Sequence, residues 1–178
     1  MSFEINDQSE TWTKKMDEAN RIRDRAMKCM EQGGYSEAAD AFMSYGNALS
    51  EYGELAGWAC VLIEAAETLE FRNAFAEAGK VFLFVANSLR KALLWGDAIE
   101  CYQSAGEAYA KVGQKRFNAA AAACYAGAAD CFAQLKLWGE AERMMTRGSV
   151  LGTGENLIEL DYIATESFKK KNYSKASE

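Results

Sequence analysis

The sequence predicts an all-α fold, a right-handed superhelical solenoid of antiparallel helix pairs. Three observations predict it. Ala occurs 31 times in 178 residues while Pro is absent, and these are the best and worst helix formers. One short phrase recurs along the chain: an aromatic, a spacer, an acidic residue, Ala, and an aromatic or Met seven positions after the first. Within each copy the apolar positions i, i+3 and i+7 fall on one stripe of a 3.6-residue helix.

The copies are Tyr35-Ser-Glu-Ala-Ala-Asp-Ala-Phe42, Phe75-Ala-Glu-Ala-Gly-Lys-Val-Phe82, Trp95-Gly-Asp-Ala-Ile-Glu-Cys-Tyr102 and Trp138-Gly-Glu-Ala-Glu-Arg-Met-Met145, with an echo at Tyr173-Ser-Lys-Ala-Ser-Glu178. They start 40, 20, 43 and 35 residues apart. A helix and its turn take roughly 20 residues, and two make a hairpin repeat. The acidic residue of the first turn meets the positive end of the helix dipole. Gly33-Gly34, Gly96 and Gly139 are read as turn positions where φ is positive or backbones lie close.

In order, helices are expected over about 11–32, 35–51, 54–70, 74–92, 95–111, 115–136, 138–148 and 155–171. The first carries a basic stripe, and the second, fourth, fifth and seventh open on a copy of the phrase. The third holds Trp58 among Ala and Gly. In the sixth, Phe117, Ala120, Cys124, Ala128, Cys131 and Leu135 track one face, and a helix so rich in Ala is best explained by burial between two neighbours. Gly148 to Gly154 reads as the one longer loop, and it lacks the GKS or GKT of a phosphate cradle. Residues 1–10 are expected as a flexible tail, 11–171 as one repeat domain, and 172–178 as a frayed end or truncated next helix of a longer solenoid.

Composition excludes much chemistry. The chain has no His, so it has no Ser-His-Asp triad, no HExxH zinc helix and no His-containing di-iron site. Lys+Arg 20 against Asp+Glu 26 gives a net charge of -6, which argues against general affinity for nucleic acid or anionic lipid while leaving room for a local basic patch. Cys29, Cys60, Cys101, Cys124 and Cys131 form no CxxC pair and sit in apolar or Ala-rich runs. They read as small hydrophobes in a reducing, cytoplasmic setting. No signal peptide or transmembrane span is expected, and the glycosylation triplet at Asn172 is expected to go unused. Neither cofactor nor metal is expected, nor catalysis. Glu64, Glu67 and Glu70 share helical spacing, yet such groups are common on solvated faces.

The phrase structure resembles the tetratricopeptide repeat superfamily, and within it the soluble NSF attachment protein (SNAP) type. The residues that carry this are Trp95 to Tyr102 with Ala105, Ala108-Tyr109, and Ala122-Ala123-Cys124-Tyr125. Periods of 40 to 43 residues and the lack of Pro depart from the strict pattern. Ser36 to Phe42, Gly46, Leu49, Ala56-Gly-Trp58-Ala-Cys60 and Ala76 to Phe84 are similar to the amino-terminal half of the 40-kDa huntingtin-associated protein family, the factor VIII intron 22 proteins. The resemblance covers about residues 20–135. It implies a noncatalytic adaptor inside a large HEAT-repeat partner, linked to endosomes. The SNAP likeness implies instead binding to SNARE bundles and recruitment of an ATPase, although no ATPase-stimulating carboxyl terminus is recognisable.

Partner contacts are sought among exposed cations. Arg21, Arg25 and Lys28 recur at i, i+4 and i+7 on the first helix. Arg90 and Lys91 end a helix, Lys115 and Arg116 begin one, and Arg143 and Arg147 stand at i, i+4. Each group reads either as ordinary solvated surface or as a contact for an acidic partner. Converging Arg residues would also suit a phosphopeptide. Trp58, Trp95 and Trp138 are expected in the core. Trp12 is either a lid over the first hairpin or an exposed contact. Self-association is a further outcome for a short array.

Overall fold

A computed structural model describes residues 3–50 and 55–151. Among them seven helices follow one another, with no strand: α1 (Phe3–Glu31), α2 (Tyr35–Ser50), α3 (Leu55–Phe71), α4 (Phe75–Lys91), α5 (Trp95–Lys111), α6 (Lys115–Gln134) and α7 (Trp138–Leu151). The expected helix over 155–171 and the end at 172–178 lie outside the described residues. α1 begins at Phe3 and so runs into the stretch expected as a tail. No Gly or Pro interrupts residues 3–31, so nothing in the backbone stops the helix earlier. α7 runs on through Gly148 to Leu151, where a loop was expected, because Gly148 is buried on its packed face.

The four complete copies of the phrase mark the first residues of α2, α4, α5 and α7. The interval of 20 separates two consecutive helices, and 43 exceeds 40 because α6 has 20 residues where α3 has 17. Each phrase plays the same part. The leading rings Tyr35, Phe75, Trp95 and Trp138 are half-buried, and Ala38, Ala78, Ala98 and Ala141 are fully buried. Phe42, Phe82, Tyr102 and Met145, seven positions on, are in the core. Glu37, Glu77, Asp97 and Glu140 stand in the first turns.

One turn precedes all four. Gly34, Ala74, Leu94 and Leu137 donate their N–H to the carbonyls of Cys29, Leu69, Leu89 and Phe132, while Gly33, Asn73, Leu93 and Lys136 donate to Met30, Glu70, Arg90 and Ala133. This is the Schellman arrangement, which needs a left-handed residue at the second turn position. Gly33 has φ 78, Asn73 φ 60, Leu93 φ 62 and Lys136 φ 62. Gly96 and Gly139, by contrast, have neither a positive φ nor a neighbour within 4 Å. Their expected turn role falls to the residues two or three places earlier.

Three-residue turns join α1 to α2 and each of α3 to α6 to the next, making these consecutive helices antiparallel neighbours, so that alternate helices from α3 onward run parallel. Ion pairs tie the alternate helices one repeat apart: Lys111 to Glu70 at 3.0 Å between α5 and α3, Arg90 to Asp130 at 3.5 Å between α4 and α6, and Arg147 to Glu107 at 3.1 Å between α7 and α5. α4 also touches α2 and α6 directly. The core is one continuous cluster from Ala19 to Met145. No buried side chain in it is charged, so apolar burial and close backbone approach hold the array together.

Candidate functional site

At the end of the array where the α3–α4 and α5–α6 turns lie, a groove of about 710 Å³ opens between the start of α4 and the start of α6. Its floor is a stack. The Tyr109 ring lies over Gly79, where a Cβ would stand 2.9 Å from it. Phe117 stacks on Tyr109 at 5.8 Å with 15° between planes, and the Arg116 guanidinium lies 4.7 Å from the Phe117 centroid. On the far wall the Lys111 ammonium is 5.6 Å from the Phe75 ring. Lys80, Lys111 and Arg116 thus line one groove together with the Glu77 carboxylate; Lys111 is paired with Glu70 at 3.0 Å, which leaves Lys80 and Arg116 as the cations without an ion pair among the described residues. Burial pushes the Tyr109 phenol up from its ordinary value, with smaller contributions from Cys124 and Glu77, so it stays a neutral hydrogen-bonding group.

Of the ten cationic and aromatic positions singled out in the sequence, Arg116 is the one that lines this groove. Lys115 is exposed beside it. Arg90 is held by Asp130 on the wall of a smaller groove of about 270 Å³ with Asn87, Tyr102 and Gly127. There the Tyr102 hydroxyl donates to the side-chain amide oxygen of Asn87 at 2.6 Å. Lys91 is exposed. Arg143 and Arg147, adjacent in spacing, part company: Arg143 pairs with Glu140 in its own helix at 3.2 Å. Arg147 reaches Glu107 and lies 4.8 Å from the Tyr125 centroid.

Arg21, Arg25 and Lys28 are all exposed and make no ion pair among the described residues. Lys14, Asp17 and Glu18 share the face of Arg21 and Arg25, so its charge is mixed. Trp12 is 50% exposed. α1 has 29 residues and α2 has 16, about 20 Å less at 1.5 Å per residue, so antiparallel pairing leaves Trp12 beyond the end of α2. Trp58 is buried as expected, with its indole N–H unpartnered. Trp95 packs against the core from a half-buried position.

Sequence reasoning missed Lys80, Lys111 and Phe75 as groove residues. Their signal is a spacing across 40 residues, not along one helix. Among the described residues no group of His, Cys, Asp or Glu side chains could hold a metal ion. Glu64 and Glu67 lie exposed while Glu70 holds Lys111, so these three do not share a pocket. Burial drives the Cys101 and Cys124 thiols up to about 12 and Cys131 to about 11, which removes them as nucleophiles near neutral pH. Cys60 departs from the expected packing role, being exposed. Among the described residues no helix is long and apolar enough to cross a membrane. No protein-family model matches the chain, and no curated protein and no solved structure matches it either.

Proposed function

We propose that this chain is a noncatalytic protein-interaction scaffold that captures an acidic segment of another protein in the groove between α4 and α6. The carrying observation is the convergence of Lys80 and Arg116, with Glu70-paired Lys111 beside them, over a floor of aromatic rings. An extended acidic segment with one apolar anchor suits it: carboxylates meet the cations, and the anchor covers Phe75 and Phe117. A phosphopeptide reading fits less well, because a single Arg lines the groove, where phosphate recognition draws on converging Arg side chains.

In this reading the array is a right-handed superhelical solenoid of the tetratricopeptide-like type, working in the cytoplasm, peripherally on endosomes, as an adaptor for a large HEAT-repeat partner of the huntingtin kind. The alternative is a SNAP-type factor on SNARE bundles. A photo-crosslinker placed at Ala76, on the groove wall, separates them in cells. It is expected to trap an acidic polypeptide, and Lys80→Glu with Arg116→Glu to abolish the trapping while helicity is unchanged. A HEAT-repeat protein in the adduct supports the adaptor, and SNARE proteins with an ATPase the alternative. Trapping that survives the charge reversal overturns the groove.

A further inference from the structure

The groove that takes an acidic segment continues beyond its cations. α4 and α6 begin 40 residues apart, at Phe75 and Lys115, and run parallel. The Arg90–Asp130 pair at 3.5 Å keeps that interval, so each position on α4 faces the one numbered 40 higher on α6. Lys80 and Ala120 are the last residues of the two helices on the larger groove. Leu83 and Ala123, one turn further, are the first on the smaller one. The two grooves are therefore stretches of one seam, with Tyr109 and Tyr102 of α5 along its floor.

Chemistry changes along the seam. In the first stretch Lys80 and Arg116 stand without an ion pair among the described residues, with the Glu77 carboxylate beside them. In the second the charged lining groups are Arg90 and Asp130, which neutralise each other at its far end. There α6 contributes Ala123, Ala126 and Gly127, none larger than a methyl, so another backbone can come close. The uncharged polar group of this stretch is Asn87, exposed on the facing helix. Its amide oxygen accepts the Tyr102 hydroxyl at 2.6 Å. Burial pushes that phenol up to about 12, with Arg90 opposing, so it is the donor at neutral pH. The bond sets which way the amide faces. It leaves the two N–H groups of the Asn87 side chain without a protein partner among the described residues.

We infer that the captured segment runs along the whole seam, about six extended residues, its acidic end over Lys80 and Arg116 and an uncharged stretch of its main chain over the alanines, where Asn87 donates to a peptide carbonyl. The length follows from α4: Ala76 to Arg90 spans about 21 Å at 1.5 Å per residue, against about 3.3 Å per extended residue. Tyr102 is a positioning residue, since it acts through Asn87. The extension rests on the groove reading of the function, but it adds a requirement for main chain that the cations do not make.

Fluorescence anisotropy with the purified full chain tests it. The labelled probes are Glu-Trp-Glu, Glu-Trp-Glu-Ala-Ala-Ala and Ala-Ala-Ala-Glu-Trp-Glu, each blocked at both ends. At least one longer peptide is expected to bind about tenfold tighter than Glu-Trp-Glu, the gain of one or two hydrogen bonds. Asn87→Ala is expected to remove that gain, and Tyr102→Phe to cut it severalfold, while both leave Glu-Trp-Glu binding unchanged. Ala123→Trp, at an exposed position, fills the seam without entering the core and is expected to act like Asn87→Ala. Equal affinities for all three peptides, or a gain that survives Asn87→Ala and Ala123→Trp, overturn the inference and leave the groove standing. A dimer that excludes the longer peptides and is broken by Ala123→Trp overturns it as well. Failure of Glu-Trp-Glu to bind, or binding indifferent to Lys80→Glu with Arg116→Glu, overturns the groove reading and the extension with it.

Discussion

The ring of Tyr125 on α6 lies against Gly106 on α5, where a Cβ would stand 2.9 Å from Cζ. The contact is reciprocated, since Tyr102 of α5 lies against Gly127 of α6, with a Cβ there only 2.7 Å from the ring. Both rings need backbone in place of a side chain beneath them. Gly106→Ala is therefore expected to destabilise the fold by about 1–3 kcal/mol through overpacking, although Ala gains up to about 1 kcal/mol in helix propensity. Gly96→Ala, with open space around it, is expected to stabilise by about 0.5–1 kcal/mol. Urea titrations of the two variants should move in opposite directions.

The left-handed turn residues give a second test. Lys136→Gly and Leu93→Gly relieve a non-glycine φ near 62, and each is expected to add about 0.5–1 kcal/mol, the strain relieved less the entropy of Gly. Gly33→Ala, at φ 78, is expected to lose about 1 kcal/mol. Thermal melts followed by circular dichroism measure all three.

Arg147 and Arg143 separate structure from surface. Arg147 pairs with Glu107 and covers Tyr125; both ion-pair partners are about half exposed, so solvent weakens the pair. Arg147→Ala is expected to cost about 0.5–1.5 kcal/mol, mostly from the cation–ring contact and lost packing. Arg143→Ala is expected within about 0.5 kcal/mol of wild type. A double-mutant cycle of Arg147 with Glu107 should give a coupling below about 1 kcal/mol.

Alkaline pH should unfold the chain. The thiols of Cys101 and Cys124 rise from 9.0 to about 12 on folding, mainly by burial, as does Cys131 to about 11. Above pH 9 the unfolded chain releases these protons while the folded chain keeps them, so stability is full below about pH 9 and declines as pH rises toward 11–12. At pH 8 a thiol reagent is expected to modify Cys60 first, Cys29 more slowly, and the three buried cysteines only on unfolding. Rapid native labelling of Cys124 contradicts this.

Helix starts at Tyr35, Phe75, Trp95 and Trp138 were legible because each opens a phrase whose ring, acid and alanine have fixed jobs in the first two turns. The start of α1 was not, since polar residues of low helix propensity fill its first turns and no Gly or Pro between Phe3 and Glu31 marks a boundary. Glycine marked the left-handed turn position at Gly33 but misled at Gly96 and Gly139, which lie inside helices; the matching positions are held by Asn73, a residue second to Gly there, and by Leu93 and Lys136, which carry no sequence mark. Cation stripes read along one helix located Arg147 and Arg90 but not their partners, because Glu107 and Asp130 lie 40 residues away. The groove was hidden for the same reason: Phe75, Lys80, Lys111 and Arg116 meet only once α4, α5 and α6 are packed.

Consecutive antiparallel helices interlock by seating tyrosine rings on backbone. Nuclear magnetic resonance of the chain in solution tests it most directly, through the Hα protons of Gly106 and Gly127. Strong upfield ring-current shifts are expected, with Overhauser contacts from Gly106 to the Tyr125 ring and from Gly127 to the Tyr102 ring. Ordinary glycine shifts with neither contact would contradict the account.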